Sequence, residues 1–271
     1  MTTGTPIPSP PSSAPTSSSV PPTHPRRRRR RWMALLVYTF QSCLPLRRWL
    51  ALLMPCAGAV LFGLLAHAVD QPAHEAFANV AAEGIFSLVM PVAALVIGDA
   101  VLGAEVRAGT FHFTWLSPAP IWQIVLARWV GGSAVALVTI APAAALAAVI
   151  AGAGSSAGAT YVACAAGSIS YVALFIAIGC ITRRTAVWSL GVVFLVERLL
   201  GAALTGIAQL SPTWESRAAF VGFLHDPPSR LIRSGIPDGG AAIVRLAIVS
   251  AVALAVATWR MSRMRLSGAS D

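Results

Sequence analysis

The sequence predicts an all-α polytopic membrane protein, and three observations carry that prediction. Hydrophobic residues make up 56% of the chain and mean hydropathy is +0.71, while charged residues are only 11%, against roughly 25% in globular chains. The apolar residues fall in runs of about 20, the length a helix needs to cross a bilayer. The formal charge of +10 is carried by arginine alone, since the 271 residues include no lysine, and most arginines lie between the apolar runs. Six spans with both termini cytoplasmic satisfy these runs and the tendency of positive charge to stay inside.

Residues 1–31 are Pro, Ser and Thr followed by an unbroken run from Arg26 to Arg31. With almost nothing to bury, such a tail cannot offset its ordering entropy and is expected to be disordered. The arginine run serves as a topogenic anchor, or alternatively as a phospholipid or nucleic-acid contact. Residues 32–48 predict an interfacial amphipathic helix; a signal peptide fits less well, because Arg47-Arg48 interrupts the run and no small-residue cleavage site follows.

The six-span domain is expected over 49–259. Its spans are placed at Trp49 to Val69, with Pro55 inside, and at Gly84 to Ala104, with Pro91 inside. The next four fall at Ile124 to Ile150, Gly158 to Ile181, Ala186 to Leu210 and Ala241 to Trp259. The loop from Asp70 to Glu83 has three acids and no arginine and is read as external. Ser211 to Gly240 is external by counting, although Arg217, Arg230 and Arg233 run against the charge rule; its Ala218-to-Leu224 stretch suits a re-entrant or interfacial helix. Residues 260–271 form an arginine-bearing internal tail. Cys43, Cys56, Cys164 and Cys180 have no paired spacing and mostly fall within spans, which indicates neither a disulfide framework nor a zinc site.

Between the second and third spans the chain turns polar for a short distance. Glu105, Arg107, Gly109, Thr110 and His112 precede the helix-stopping Ser117-Pro118-Ala119-Pro120. Glu105 to Trp115 predicts a brief amphipathic helix, closed because proline disfavours helix at the residue before it. Glu105-Val106-Arg107-Ala108-Gly109-Thr110, then Trp115-Leu116-Ser117-Pro118 and Trp122 to Arg128, resemble the cytosolic loop of type-2 ABC transporter permeases. The family pattern is approximately Glu-Arg-Glu-x-Gly-Thr, a leucine-rich turn, Ser-Pro and a basic residue opening the next span. Val106 and Phe111-His112-Phe113 depart from it.

The resemblance implies that this loop is a coupling helix docked in a groove of a separate ATPase. Glu105 and Arg107 would then make polar contacts, Gly109 and Thr110 the close turn, and Phe111, Phe113 and Trp115 the apolar anchor, with Ser117 and Pro118 ending the helix. It further implies two ATPase subunits, a second permease chain (a homodimer or a similar heterodimer), export, and residence in the plasma (inner) membrane. ATP would bind the partner, and this chain would hold no cofactor.

Ionisable residues inside spans are costly and point to function. Glu197 and Arg198 lie 11 to 12 residues into the fifth span, on the order of 17 Å deep. They line a translocation path or dimer seam, or form fixed interhelical pairs. Asp99, five residues before the loop, is expected to orient it rather than bind substrate. Arg245, about a turn inside the last span, is expected to snorkel outward.

The chain has no Gly-x-x-x-x-Gly-Lys-Ser/Thr nucleotide loop, no His-Glu-x-x-His and no Gly-x-Ser-x-Gly. The expectation is a transport subunit that is not itself an enzyme and does not bind nucleic acid. The alternative is an ion-coupled secondary transporter or channel using Glu197 and Asp99.

Overall fold

A computed structural model describes residues 46–103, 120–182, 185–191, 211–232 and 239–263, with isolated positions near residue 40 and at 193 and 195. Among these residues the chain is helical and contains no strand. Five helices among the described residues are long and apolar enough to cross a membrane: Trp49–His67, Ala73–Leu102, Ile121–Ile150, Gly154–Ile181 and Gly239–Arg263. The tail at 1–31, the expected coupling helix, most of the fifth span and the final residues lie outside the described residues. So does nearly all of the interfacial segment, although its last residues open the first helix at Leu46.

We number the helices α1 (Leu46–His67), α2 (Ala73–Leu102), α3 (Ile121–Ile150), α4 (Ala157–Ile181), α5 (Thr185–Gly191), α6 (Pro212–Gly222), α7 (Ser229–Ile232) and α8 (Gly239–Arg263). α2 begins at Ala73, not Gly84, so the predicted external loop from Asp70 to Glu83 shrinks to a few residues. Charge misplaced this boundary. Pro72 starts the helix, Ala76, Phe77 and Ala78 are buried, and Glu75 and Glu83 ride on exposed positions of the same helix.

The internal prolines reshape α2 and α3. In α2 a π-helical stretch, Ala81–Val89, precedes Pro91, which has no N–H to give the carbonyl four residues back. The ladder there steps to five residues: the Met90 N–H reaches the Ile85 carbonyl, and the Ser87 hydroxyl donates to the Ala82 carbonyl at 3.0 Å. In α3 the helix breaks at Thr139, three residues before Pro142. There the Thr139 hydroxyl donates to the Val135 carbonyl at 2.7 Å.

α4 is the centre of the bundle and packs against α2, both halves of α3, α6 and α8. Tyr171 and Phe175 stack at 5.4 Å in its buried face. Lipid tails are as apolar as leucine, so contacts between spans depend on close van der Waals packing rather than on escape from water. Small residues supply it: a Cβ on Gly63 would lie 2.5 Å from the Ala147 carbonyl oxygen, so α1 and α3 touch backbone to backbone. The turn between α3 and α4 needs Gly152, whose φ of 79° is in the left-handed region. On the flanks, Leu53, Met54, Leu61 and Leu64 of α1 and Val244, Ile248 and Val252 of α8 are exposed, as suits lipid or another helix.

Candidate functional site: a half-depth helix at one end of the bundle

α6 starts where Ser211 caps and Pro212 occupies the first turn, a position that tolerates a missing N–H. Its 11 residues extend about 16 Å. At its start, Thr213 shares a 2.5 Å hydrogen bond with Tyr171, 14 residues into the 25-residue α4. Further along, Ser216 sits against Gly167, where a Cβ would come within 2.0 Å of the serine oxygen. At its far end, Gly222 abuts Gly239, the first residue of α8. The helix therefore runs from the middle depth of the bundle, at Thr213, to one end of it, at Gly222, where α8 begins. The helix covers the 218–224 stretch expected to be re-entrant or interfacial and starts earlier, at Pro212; the residues that lead into it lie outside the described residues.

Two charged contacts hold it. Arg217 pairs with Glu83 of α2 at 2.7 Å, across an exposed edge. This explains one of the arginines that run against the charge rule: a carboxylate on a neighbouring helix neutralises it. The deeper contact joins Glu215 to Arg245 of α8 at 3.2 Å, with the glutamate fully buried and the arginine side chain 44% exposed. Arg245 thus gives one N–H to a buried carboxylate while its side chain stays partly exposed.

The Glu215 pair is only half satisfied. Oε1 accepts from Arg245, while Oε2 is buried without a hydrogen-bond partner, as is the neighbouring Trp214 Nε1. On α4, the Ser170 hydroxyl, between the Gly167 and Tyr171 contacts, is also buried and unpaired. A buried acceptor without a donor costs about 1–3 kcal/mol, so this carboxylate has capacity for a proton or for a donor entering the bundle. Among the described residues no group of His, Cys, Asp and Glu could hold a metal ion.

At the opposite end, the chain leaves α2 after Gly103 and re-enters at Ile121. Arg128, expected as the basic residue flanking the loop, is buried two turns into α3 and donates to the Val101 carbonyl at the end of α2. This contact ties together the two helices that carry the loop. Asp99 is half-buried in the same closing turn of α2, two residues before Val101. Of the other expected site residues, Glu105, Arg107, Gly109, Thr110, Phe111, Phe113, Trp115, Ser117, Pro118, Glu197 and Arg198 lie outside the described residues. The three cysteines within spans, Cys56, Cys164 and Cys180, are free.

Sequence reasoning passed over Glu215 because it was assigned to an external loop. The signal was the Ser211-Pro212 pair, a helix start three residues before Glu215 and followed by the apolar Ala218-to-Val221 stretch. Compared with known proteins, the chain matches no family model and no curated sequence.

Proposed function

We propose that this chain is the membrane-spanning permease subunit of an ATP-driven exporter of the type-2 ABC class, working by alternating access with a separate ATPase. The observation that carries the reading is the pairing of opposite ends. A polar segment with the Glu105-to-Pro118 pattern joins helices tied by Arg128, and a half-depth helix, α6, lies at the other end just before the last span. In this reading, force from the ATPase enters through Glu105, Arg107, Phe111, Phe113 and Trp115. It passes through the Arg128–Val101 tie into α2 and α3 and reaches α4, against which α6 is packed. A second permease chain completes the pathway, which Glu197 and Arg198 line.

The test is reconstitution with an ATPase subunit that co-purifies with the chain. Glu105→Ala and Phe111→Pro are expected to uncouple ATP turnover from transport while leaving the protein in the membrane. Normal stimulated ATPase activity in both variants overturns the proposal. Glu215 supports a second reading, an ion-coupled transporter, because a buried carboxylate with an unused oxygen can take up a proton. Transport driven by a proton gradient in ATP-depleted vesicles, and lost in Glu215→Gln, favours that reading.

A further inference from the structure

We propose that the groove between α3 and α8, at the end where α8 finishes, binds one anionic phospholipid, its acyl chain between the helices and its phosphate at Arg263. The inference rests on the chain being membrane-embedded and not on the transporter class. The groove holds about 430 Å³ and is lined by Trp122, Val125 and Leu126 of α3 and by Leu254, Thr258 and Trp259 of α8. Its two hydroxyls are already used: the Thr258 hydroxyl donates to the Leu254 carbonyl at 2.8 Å, and Ser262 donates to the Trp259 carbonyl at 2.7 Å. What remains is an apolar channel. From Leu254 to Ser262 it follows eight residues of helix, about 12 Å, enough for a length of acyl chain.

Its mouth is chemically different. Trp122 and Trp259, 47% and 51% exposed, stand at the ends of their helices, where amphipathic rings meet the headgroup layer. The Arg263 guanidinium lies 4.6 Å over the Trp259 ring. A stacked guanidinium keeps its in-plane N–H fork for a phosphate, and neither α3 nor α8 carries an acidic residue to compete for it. Charge complementarity between the Arg263 guanidinium and a phosphate, at the mouth of an apolar groove, points to this occupant.

Native mass spectrometry of the detergent-purified protein, titrated with phosphatidylglycerol or phosphatidylcholine, tests the site. One phosphatidylglycerol is expected to be retained about fivefold better, the worth of one arginine near an anionic surface. Arg263→Gln removes that preference while the exposed neighbour substitution Arg260→Gln keeps it, and Leu254→Trp, which fills the groove, loses both lipids. Equal retention of the two lipids by the unaltered protein overturns the proposal. So does an undiminished preference in Arg263→Gln, or an equal loss in Arg260→Gln, which reports diffuse surface charge. Arg263 is exposed and its replacement leaves packing intact, so the two arginine variants decide the question even if Leu254→Trp does not fold.

Discussion

Glu215 and Arg245 show how a single pair of side chains sets the character of one end of this bundle. Breaking a buried pair leaves a charge without compensation, which costs several kcal/mol when both partners are enclosed. Here Arg245 is partly open, and solvent screening reduces the figure. Arg245→Ala is therefore expected to lower stability by on the order of 2 kcal/mol. Glu215→Gln, which keeps an acceptor and removes the charge, should cost less. Replacing both should recover part of the loss. Thermal unfolding in detergent, followed by tryptophan fluorescence, orders the variants; an Arg245→Ala no worse than Glu215→Gln contradicts the pair's assigned role. The rim pair behaves differently, since Glu83 is largely exposed: Glu83→Ala should cost less than about 1 kcal/mol in the same measurement.

At the scale of elements, the path of α6 depends on a missing side chain. Gly167 leaves room for Ser216 to lie against α4, and a methyl group there would overlap the serine oxygen. Gly167→Ala is expected to destabilise by about 1–3 kcal/mol, the usual cost of overpacking. Adding Ser216→Ala should return part of it, because the atom nearest the new methyl is gone. Additive losses in the double variant contradict direct contact. Gly63 differs in kind: the obstruction is the backbone of Ala147, which no neighbouring substitution can remove. Gly63→Ala should thus separate α1 from α3 without a single-site rescue, seen as a larger drop in unfolding temperature than Gly167→Ala.

At the scale of the whole molecule, the turn at Gly152 and the polar loop after Gly103 lie at opposite ends of helices long enough to cross a bilayer. In a background without native cysteines, Ser155→Cys and Thr110→Cys are expected to react with a membrane-impermeant maleimide from opposite sides. Labelling of both from one side contradicts the arrangement of α2 to α4. In the native protein, Cys164 and Cys180 should stay unreactive until it unfolds, since both are buried inside α4.

Much of this was legible in the chain alone. Uninterrupted apolar runs announce helices that cross a bilayer because the hydrocarbon core leaves a backbone no other partner for its N–H and C=O groups. Pro118 and Pro120 close a loop by local sterics, and a helix before α8 is visible as a short apolar stretch in a polar segment. Other features depended on what each residue meets. Glu75 and Glu83 read as loop residues until Phe77 and its neighbours buried the other side of the same helix. Arg245 has no evident partner in sequence until the Glu215 carboxylate of α6 lies beside it, and Arg128 reads as a boundary charge until the Val101 carbonyl receives it. Composition decides that a segment belongs in the membrane, because transfer free energy sums over residues whatever their neighbours. Which charge meets which, and how deep α6 descends, depends on atoms far apart in sequence, and only the packed bundle brings these together.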